Sequence, residues 1–255
     1  MSSDSDLIDL QSPMPDRLRC VMSLRGCGDG PYGGFNVCHY VGDRQEHVAE
    51  SRRVLSEVLG IGLNRMVIPR QTHSLNVAVI DNDSDLLREY DNVDALVTKL
   101  SRTALCINTA DCAPVILSDT VHGVVAVAHS GWRGTVGRIA ARTLEAMVSQ
   151  GASVSDIDVS IGACICPDCF EVGEDVASKF RQEFPDDDGR IVRSGYIKPH
   201  VDIAAAIRRT LVEAGVRSGR IVDACLCSRC GRLPLFSARR DGIESGRTLT
   251  AAMLL

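Results

Sequence analysis

The sequence of 255 residues predicts a single domain of the α+β class, in which short strands and amphipathic helices mix along the chain. Two observations carry this prediction. Short runs rich in valine and isoleucine crowd the middle of the sequence and are separated by polar and turn residues, as is typical of buried strands. Longer segments elsewhere repeat apolar residues at helical spacing. No repeat of fixed period and no linker-like stretch divides the chain, so we expect one domain.

The first half of the sequence predicts one helix among several strands. Residues 18–24 are the first run with strand character, and they lead into a glycine-rich segment at residues 26–34. Residues 47–59 carry apolar side chains at helical spacing, and Gly60 follows as a C-cap. The other apolar runs are short and bounded by turn residues, which predicts strands at residues 66–68, 76–80, 95–98, 104–108, 114–118 and 123–129.

The second half of the sequence predicts more helix. Residues 135–150 repeat apolar side chains at helical spacing. A strand is predicted at residues 157–161, and helices follow near residues 174–180 and 202–214. The last predicted element is a strand at residues 221–225. Residues 1–16 are expected to be a disordered arm, because no apolar periodicity supports packing before residue 18.

Charge and composition favour a small-molecule substrate. The net charge is −5, whereas nucleic-acid-binding proteins are usually basic, and the aromatic fraction of 4% provides few side chains for base stacking. The sequence shows neither an apolar run long enough for a membrane span nor the basic and apolar pattern of a secretory signal. An odd number of cysteines, 11, indicates thiols or metal ligands rather than a complete disulfide framework. We therefore expect a cytoplasmic protein without nucleic-acid or membrane partners.

Three side chains that bind metals stand beside predicted strand ends. His73 lies in a turn between the strands predicted at residues 66–68 and 76–80. Cys112 lies between those at residues 104–108 and 114–118, and His129 ends the strand at residues 123–129. Two imidazoles and one thiolate suit zinc, and three protein ligands leave a fourth position for water. Water on such a zinc ionises near neutral pH, which makes it a nucleophile. Because 39 and 17 residues separate the three side chains, their spacing is equally compatible with polar turn residues and a buried thiol.

Several blocks of the sequence resemble the polyphenol-oxidase, laccase-domain family. The blocks that contain the three side chains read RQTHSLNV, NTADCAPVIL and VAVAHSGWRGTVGRI, and further blocks read GDGPYGGFNVCHYVGD, CFEVGEDV and FSARRDGIESGR. They follow the family's order and extend over almost the whole chain after residue 20. The resemblance implies one catalytic domain over residues 17–255. It also implies a central β-sandwich of mixed sheets flanked by helices, in α/β/β/α layers.

The same resemblance implies a function. It assigns a catalytic zinc ion to His73, Cys112 and His129 and makes these three side chains catalytic. It further implies phosphorolysis of adenosine, inosine and guanosine and hydrolytic deamination of adenosine, so purine nucleosides and phosphate are the expected partners. Copper-dependent oxidation of phenols is the older activity attached to the family name. The sequence has only 6 histidines where a multicopper oxidase needs about ten ligands, although imidazole and thiolate suit copper as well as zinc.

Substrate-binding residues are expected near these blocks. Phosphate is best held by a fork of arginine donors, and Arg133 is the arginine nearest to His129 in the sequence. Arg52 is a second candidate, and Asn36 is expected to hydrogen-bond the ribose or the base. The alternative for each is an ordinary surface or structural role. Further arginines with the same chemistry are Arg25, Arg70, Arg239 and Arg247.

Asp111 directly precedes Cys112 and is the candidate general base or orienting residue of the site. Its alternative role is to cap a turn at the end of a strand. Trp132, the only tryptophan, follows His129 by three residues, and packing beneath the turn is favoured over lining the pocket.

Six of the cysteines form two copies of a C-x-C-x-x-C pattern, which is compatible with a second, structural zinc ion that joins both segments. The alternatives are buried thiols, an iron–sulfur centre or a disulfide. In the resembling family, cysteines are expected at the positions of Cys169 and Cys227, and the other four are additions. The two clusters are Cys164/Cys166/Cys169 and Cys225/Cys227/Cys230.

Two alternatives remain from the sequence. In a cysteine hydrolase or amidase, Cys112 and His129 would act as nucleophile and base, with Asp111 or Asn108 orienting the histidine. Editing of peptidoglycan precursors, suggested for bacterial relatives, is one such activity. The non-enzymatic alternative is a structural or partner protein that binds zinc at its cysteine clusters. Metal content and nucleoside turnover distinguish these alternatives.

Overall fold

Two mixed β-sheets pack face to face at the centre of the protein. The computed structural model describes residues 7–10 and 16–255. One sheet contains β1 (Leu7–Asp9), β2 (Leu18–Ser23), β3 (Met66–Val67), β6 (Ala104–Thr109) and β13 (Thr248–Leu254). Its order is β1-β2-β13-β6-β3, and all neighbours are antiparallel except the parallel pair β3 and β6.

The second sheet has six strands and carries most of the site. It contains β4 (Val77–Ile80), β5 (Ala95–Thr98), β7 (Ala113–Asp119), β8 (Val124–Ser130), β9 (Asp158–Ile161) and β12 (Ile221–Asp223). Its order is β12-β9-β7-β8-β5-β4, with parallel pairs at both edges and antiparallel pairs between them. A separate two-stranded ribbon joins β10 (Val192–Arg193) to β11 (His200–Val201).

Helices cover the outer faces of both sheets. They are α1 (Gln45–Leu59), α2 (Trp132–Val136), α3 (Ile139–Ser149), α4 (Glu174–Glu183), α5 (Ile203–Glu213) and α6 (Ala238–Asp241). Apolar side chains of α1 pack on the five-stranded sheet, and those of α3, α4 and α5 pack on the six-stranded sheet. The sandwich of mixed sheets flanked by helices, predicted from the resemblance, is therefore confirmed.

Strand β6 shows how side-chain alternation builds these layers. Leu105 and Ile107 point into the apolar layer between the sheets, whereas Ala104 and Cys106 face α1. All four are fully buried, because successive side chains of a strand point to opposite faces and both faces of β6 are covered. A continuous apolar run is the sequence pattern of such a strand.

Helix α1 ends at Gly60 as predicted, and Gly60 adopts the left-handed conformation with φ 65°. The helix predicted at residues 135–150 is instead two helices, α2 and α3, separated at Gly137 and Arg138. Arg138 is left-handed with φ 59°, and a Cβ at Gly137 would lie 2.5 Å from Leu75. The close approach of Leu75 explains why the chain bends here although the apolar periodicity continues.

Four strands lie where the sequence did not predict them: β1, β13 and the two short ribbon strands β10 and β11. Residues 7–9 form β1 and pair with β2, so this part of the expected disordered arm is a strand. Residues 1–6 and 11–15 of that arm lie outside the described residues. Strand β13 lies between β2 and β6 and is entirely buried. Its sequence, TLTAAML, has few β-branched residues, and tertiary burial rather than intrinsic preference makes it a strand.

Among the described residues, none of the helices has the length and apolar character required to cross a membrane.

Candidate metal centre and active site

His73, Cys112 and His129 converge at one end of the strands of the six-stranded sheet. Their ligand-capable nitrogen and sulfur atoms all lie within 4.8 Å of one another. The Sγ atom of Cys112 is 3.7 Å from Nε2 of His73, and the two imidazole rings lie 4.8 Å apart between centroids. His129 is buried, Cys112 is partly buried and His73 is exposed, so the cluster is open to solvent on one side.

Strand pairing explains this convergence. His129 lies in β8 opposite Pro114 of β7, and Cys112 stands just before β7 begins. On the other side of β8, the backbone amide of His129 donates to the carbonyl oxygen of Asp94 at 2.7 Å. Asp94 immediately precedes β5, which pairs with β8. The antiparallel register thus places Cys112, His129 and Asp94 together at one end of the adjacent strands β7, β8 and β5.

Asp94 is the residue that holds the two histidines in place. Its fully buried carboxylate accepts a hydrogen bond from Nδ1 of His129 at 2.7 Å. It also accepts the backbone amides of Thr72, His73 and Ser74 at 3.1, 3.0 and 2.7 Å, which fixes the turn where His73 adopts a left-handed φ of 61°. The sequence analysis missed Asp94, whose only signal is its place directly before a predicted strand.

Gly131 leaves room for the cluster. A Cβ at this position would lie 2.8 Å from Sγ of Cys112 and 2.9 Å from Cδ2 of His73. Gly131 is also the N-cap residue of α2, and its carbonyl oxygen accepts the backbone amide of Thr135 at 2.8 Å. The turn after His129 therefore needs a residue without a side chain.

Cys112 and His129 each stabilise the charged form of the other. Removal from water raises the pKa of the Cys112 thiol, but the imidazoles of His129 and His73 outweigh this effect and bring that pKa to about 6. Burial lowers the pKa of His129, but Cys112 and Asp94 outweigh it and raise that pKa to about 9. Desolvation also raises the pKa of Asp94, and the hydrogen bonds from His129 and Ser74 bring it down to about 2. The site therefore favours a thiolate beside an imidazolium ion.

This arrangement fits a metal ion. Thiolate sulfur and imidazole nitrogen are zinc ligands, and the convergence of three of them with an open side is the pattern of catalytic sites. Because Nδ1 of His129 is paired with Asp94, Nε2 is the nitrogen available for coordination. The absence of a Cβ at Gly131 leaves room beside Sγ of Cys112 and Nε2 of His73.

Asp111 does not contact either histidine among the described residues. Its carboxylate accepts Oγ of Ser228 at 2.7 Å, Oγ of Ser237 at 2.6 Å and the backbone amide of Arg239 at 2.7 Å. Three donors therefore occupy the carboxylate that the sequence analysis assigned to general base chemistry. Asp94, and neither Asp111 nor Asn108, orients His129.

Asn36 pairs with protein groups in the structure. It is fully buried, and its amide nitrogen donates to Asp43 at 2.8 Å and to the carbonyl oxygen of Cys38 at 3.3 Å. Its side-chain oxygen accepts the backbone amides of Cys38 and Arg247. The amide thus joins residues 36–43 to the segment before β13, and its contact with substrate stays a prediction.

Arg52 lines a cavity of about 800 Å³ together with His39, Arg70 and Tyr90. Its guanidinium donates to the carbonyl oxygen of Val37 at 3.1 Å and lies 2.9 Å from Nδ1 of His39. None of the three clustered side chains lines this cavity, so it is separate from the candidate metal centre.

Arg133 remains the best placed arginine. It is exposed in α2, and its guanidinium stacks 4.3 Å from the ring centroid of Trp132, which Lys179 also approaches at 5.1 Å. Trp132 is thus partly buried beneath two cations. Protein groups engage each of the other arginines proposed for phosphate, which are Arg25, Arg70, Arg239 and Arg247.

Asn108 is an unpaired polar group in the NTADC block. Its side chain is buried, and neither its amide nitrogen nor its amide oxygen has a hydrogen-bond partner among the described residues. Its backbone amide and carbonyl groups pair with the side chain of Gln71 at 2.8 Å each. A buried amide without partners costs stability unless it serves another purpose, so Asn108 is a candidate for ligand binding.

The structure brings together four of the six clustered cysteines. The sulfur atoms of Cys166, Cys169, Cys227 and Cys230 all lie within 4.8 Å of one another. Cys164 and Cys225 stay outside this group. Cys164 is buried, and desolvation raises the pKa of its thiol well above the ordinary value, whereas Cys225 is exposed.

The other four histidines stand apart from the candidate metal centre. His39 contacts Arg52, His47 contacts Asp43, His122 contacts Asp119, and Nδ1 of His200 lies 2.6 Å from the carbonyl oxygen of Pro167. Among the described residues, no metal-capable group therefore contains three histidines.

Comparison with known proteins identifies the family. Residues 19–255 match the family model described as multi-copper polyphenol oxidoreductase laccase. The chain is 47% identical over 237 residues to the adenosine deaminase RL5 of an unknown prokaryotic organism, covering 89% of this chain and 90% of that protein. It is 38% identical over 239 residues to a purine nucleoside phosphorylase of Bacteroides thetaiotaomicron, covering 90% and 88%.

A solved structure supports the same relationship. The crystal structure of YlmD from Geobacillus stearothermophilus superimposes with a TM-score of 0.88 at 29% identity, covering 95% of this chain and 94% of that one. Both the sequence and the fold thus agree over nearly the full length. The chain belongs to the multi-copper polyphenol oxidoreductase laccase family.

Proposed function

We propose that this protein is a zinc-dependent purine nucleoside enzyme that deaminates adenosine hydrolytically. The observation that carries the proposal is the cluster of His73, Cys112 and His129, open on one side and oriented by Asp94. The names of its relatives, an adenosine deaminase and a purine nucleoside phosphorylase, support the substrate class. Phosphorolysis of adenosine, inosine and guanosine is the second activity that we assign to the same site.

The protein's own residues prepare the site for this chemistry. Zinc bound by His73, Cys112 and His129 would supply Lewis acidity and lower the pKa of water for attack on C6 of the purine. Asp94 fixes the tautomer of His129 by accepting a hydrogen bond from Nδ1. It also holds the His73 turn by accepting hydrogen bonds from three backbone amides. The exposed face at His73 is the side from which a nucleoside can approach.

Phosphorolysis needs a group that holds phosphate beside the nucleoside. Arg133 lies four residues after His129, at the start of α2, and its guanidinium packs on Trp132 without a carboxylate partner among the described residues. Lys179 adds a second positive charge on the same ring. We infer that the two cations on Trp132, three residues after His129, provide a binding surface for phosphate, since guanidinium groups bind phosphate oxygens in pairs.

A cysteine hydrolase is the second candidate function. Asp94, His129 and Cys112 have the order of a carboxylate, a base and a nucleophile, and the pKa of Cys112, about 6, makes it a thiolate at neutral pH. A thiolate that coordinates zinc is not free for nucleophilic attack, so metal content separates the two proposals. Copper oxidase chemistry is disfavoured, because only two histidines join the cluster.

The decisive experiment combines turnover with metal analysis. Purified protein is incubated with adenosine, with and without phosphate, and inosine, adenine and hypoxanthine are separated by chromatography. We expect inosine without phosphate and free base with it, and we expect Cys112→Ala to lose turnover and the zinc bound by His73, Cys112 and His129. Cys27→Ala is the matched control, since Cys27 is an exposed thiol outside the cluster. Hydrolysis of an amide substrate by metal-free protein would establish the hydrolase instead.

A further inference from the structure

Four cysteine sulfurs form a second cluster that the proposed reaction does not use. Cys166 and Cys169 lie in the loop after β9, and Cys227 and Cys230 lie in the loop after β12. β9 and β12 are parallel neighbours, and an isolated bridge between Cys164 and Cys227 continues their pairing into the loops. Parallel pairing thus brings one C-x-x-C segment from each loop to the same place.

The sulfur positions fit a tetrahedral zinc site. Zinc–sulfur bonds of about 2.3 Å in a tetrahedron place the sulfurs about 3.8 Å apart. The Sγ atoms of Cys166 and Cys230 are 3.9 Å apart, and all four lie within 4.8 Å of one another. At 3.9 Å the pair is too far apart for a disulfide, in which sulfurs are about 2.05 Å apart.

The backbone around the cluster is arranged to stabilise thiolates. The sulfur of Cys227 accepts the backbone amides of Cys166 at 3.3 Å and Cys230 at 3.4 Å. The turn closes where the amide of Gly231 donates to the carbonyl oxygen of Cys227 at 3.0 Å. A Cβ at Gly231 would lie only 2.3 Å from that oxygen, so this tight turn requires glycine.

The guanidinium of Arg240 secures the second C-x-x-C segment. It donates to the carbonyl oxygens of Ser228 at 3.1 Å and Arg229 at 3.0 Å, both within that segment. It is itself held by two hydrogen bonds to the carboxylate of Asp241, each at 2.8 Å. The backbone that carries Cys227 and Cys230 is therefore fixed by a side chain from α6.

We propose that Cys166, Cys169, Cys227 and Cys230 bind a second zinc ion, which is structural and clamps the two loops together. All four positions of the metal are filled by sulfur, which is the pattern of closed structural sites. Cys164 and Cys225, which share the sequence pattern, are not ligands.

The clamp supports the loop that carries Cys112. The backbone amide of Ile165 donates to the carbonyl oxygen of Asp111 at 2.9 Å, and Oγ of Ser228 donates to its carboxylate at 2.7 Å. Each of these contacts comes from one of the two clamped loops. Asp111 has a left-handed φ of 85° and directly precedes Cys112, so the second zinc acts as a positioning element for the first.

Zinc stoichiometry in single and double variants tests this proposal. We expect about two zinc ions per chain in the wild type, about one in Cys230→Ser or in Cys112→Ala, and none in the double variant. Cys225→Ser, an exposed cysteine of the same motif, should keep both zinc ions. If Cys230→Ser holds as much zinc as the wild type, the second site does not exist, even where nucleoside turnover confirms the first.

Thiol counting and unfolding provide further readouts. After chelation under denaturing conditions, the four cysteines should react as free thiols, and Cys230→Ser should unfold at lower temperature while keeping the zinc that Cys112 binds. A disulfide between the segments, or iron with acid-labile sulfide in place of zinc, overturns the proposal. Cobalt substitution in Cys112→Ala should give the thiolate charge-transfer absorption of a tetrathiolate site, and loss of that absorption in the added Cys166→Ser variant confirms the ligands.

Discussion

The carboxylate of Asp94 accepts a hydrogen bond from Nδ1 of His129, with the oxygen and nitrogen 2.7 Å apart, and both groups are buried. This one contact determines which nitrogen of His129 faces Cys112, and the same carboxylate secures the turn that carries His73. Two of the three proposed metal ligands thus depend on a residue that coordinates nothing. Hydrogen-bond partners of metal ligands contribute a large part of the metal affinity of proteins.

Replacing Asp94 should weaken metal binding more than it weakens the fold. In Asp94→Asn, we expect a loss of roughly 10–100-fold in zinc affinity, because His129 loses its charged acceptor. Competition with a chelator measures that affinity, and turnover of adenosine should fall in parallel. Asp91→Asn, which alters an exposed carboxylate paired with Arg70, is the control. Unchanged zinc affinity in Asp94→Asn would refute the orienting role.

Gly131→Ala should lower turnover by displacing the metal ligands, although it removes none of them. Its Cβ would stand 2.8 Å from Sγ of Cys112, so the ligands must shift, and a displacement of about 1 Å costs on the order of 100-fold in activity. The melting temperature should change by only about 2–4 °C, as a loss of about 1 kcal/mol implies for a chain of this size. Gly219→Ala is the matched control, since a Cβ there has no neighbour within 4 Å. Wild-type turnover in Gly131→Ala would contradict this view.

Arg133→Ala should separate the two proposed activities. Loss of a charge-assisted contact of about 1.5–3 kcal/mol should raise the KM for phosphate by about tenfold or more. Deamination, which uses water, should remain within about twofold of the wild type. Kinetics at varied phosphate concentration measure this, with Arg142→Ala, an exposed arginine on α3, as the control. An equal loss of both activities would mean that Arg133 binds the nucleoside or supports the fold.

Asp111→Asn distinguishes a positioning residue from a general base. We expect the free energy of unfolding to fall by about 1–3 kcal/mol, because Ser228, Ser237 and the amide of Arg239 lose a charged acceptor. Some turnover should persist, with an unchanged pH profile, and Ser237→Ala should show a smaller version of the same effect. Urea unfolding and kcat against pH measure both quantities. Complete loss of turnover at unchanged stability would instead make Asp111 a base.

The fold was largely predictable because its central strands are buried on both faces. Strands such as β5, β6 and β7 are continuous apolar runs bounded by turn residues, and that pattern is local in sequence. Strand β13 was missed, since alanine and leucine suit a helix as well as a buried strand. The break between α2 and α3 depends on Leu75, which lies far away in the sequence and leaves no mark on the local periodicity.

The candidate site was predictable only in part. Three metal-capable side chains beside strand ends were recognisable from the sequence, and the structure brings them together. Asp94 was not recognisable, because an acidic residue before a strand resembles any turn residue and its partner His129 is 35 positions away. The substrate contact of Asn36 stays a prediction. Its place in a glycine-rich block suggested that contact, and in the structure its buried amide already donates to Asp43 and Cys38 and accepts from the backbone amides of Cys38 and Arg247.

The central place of β13 in its sheet has a consequence for biosynthesis. β13 lies between β2 and β6, yet it leaves the ribosome after both of them. Until it emerges, β2 and β6 each present an unpaired edge, and unpaired edges invite association with other chains. The six-stranded sheet, whose strands are all synthesised earlier, can form first. Folding of the five-stranded sheet must therefore wait for residues 248–254, which makes nascent chains stalled before this segment the aggregation-prone species.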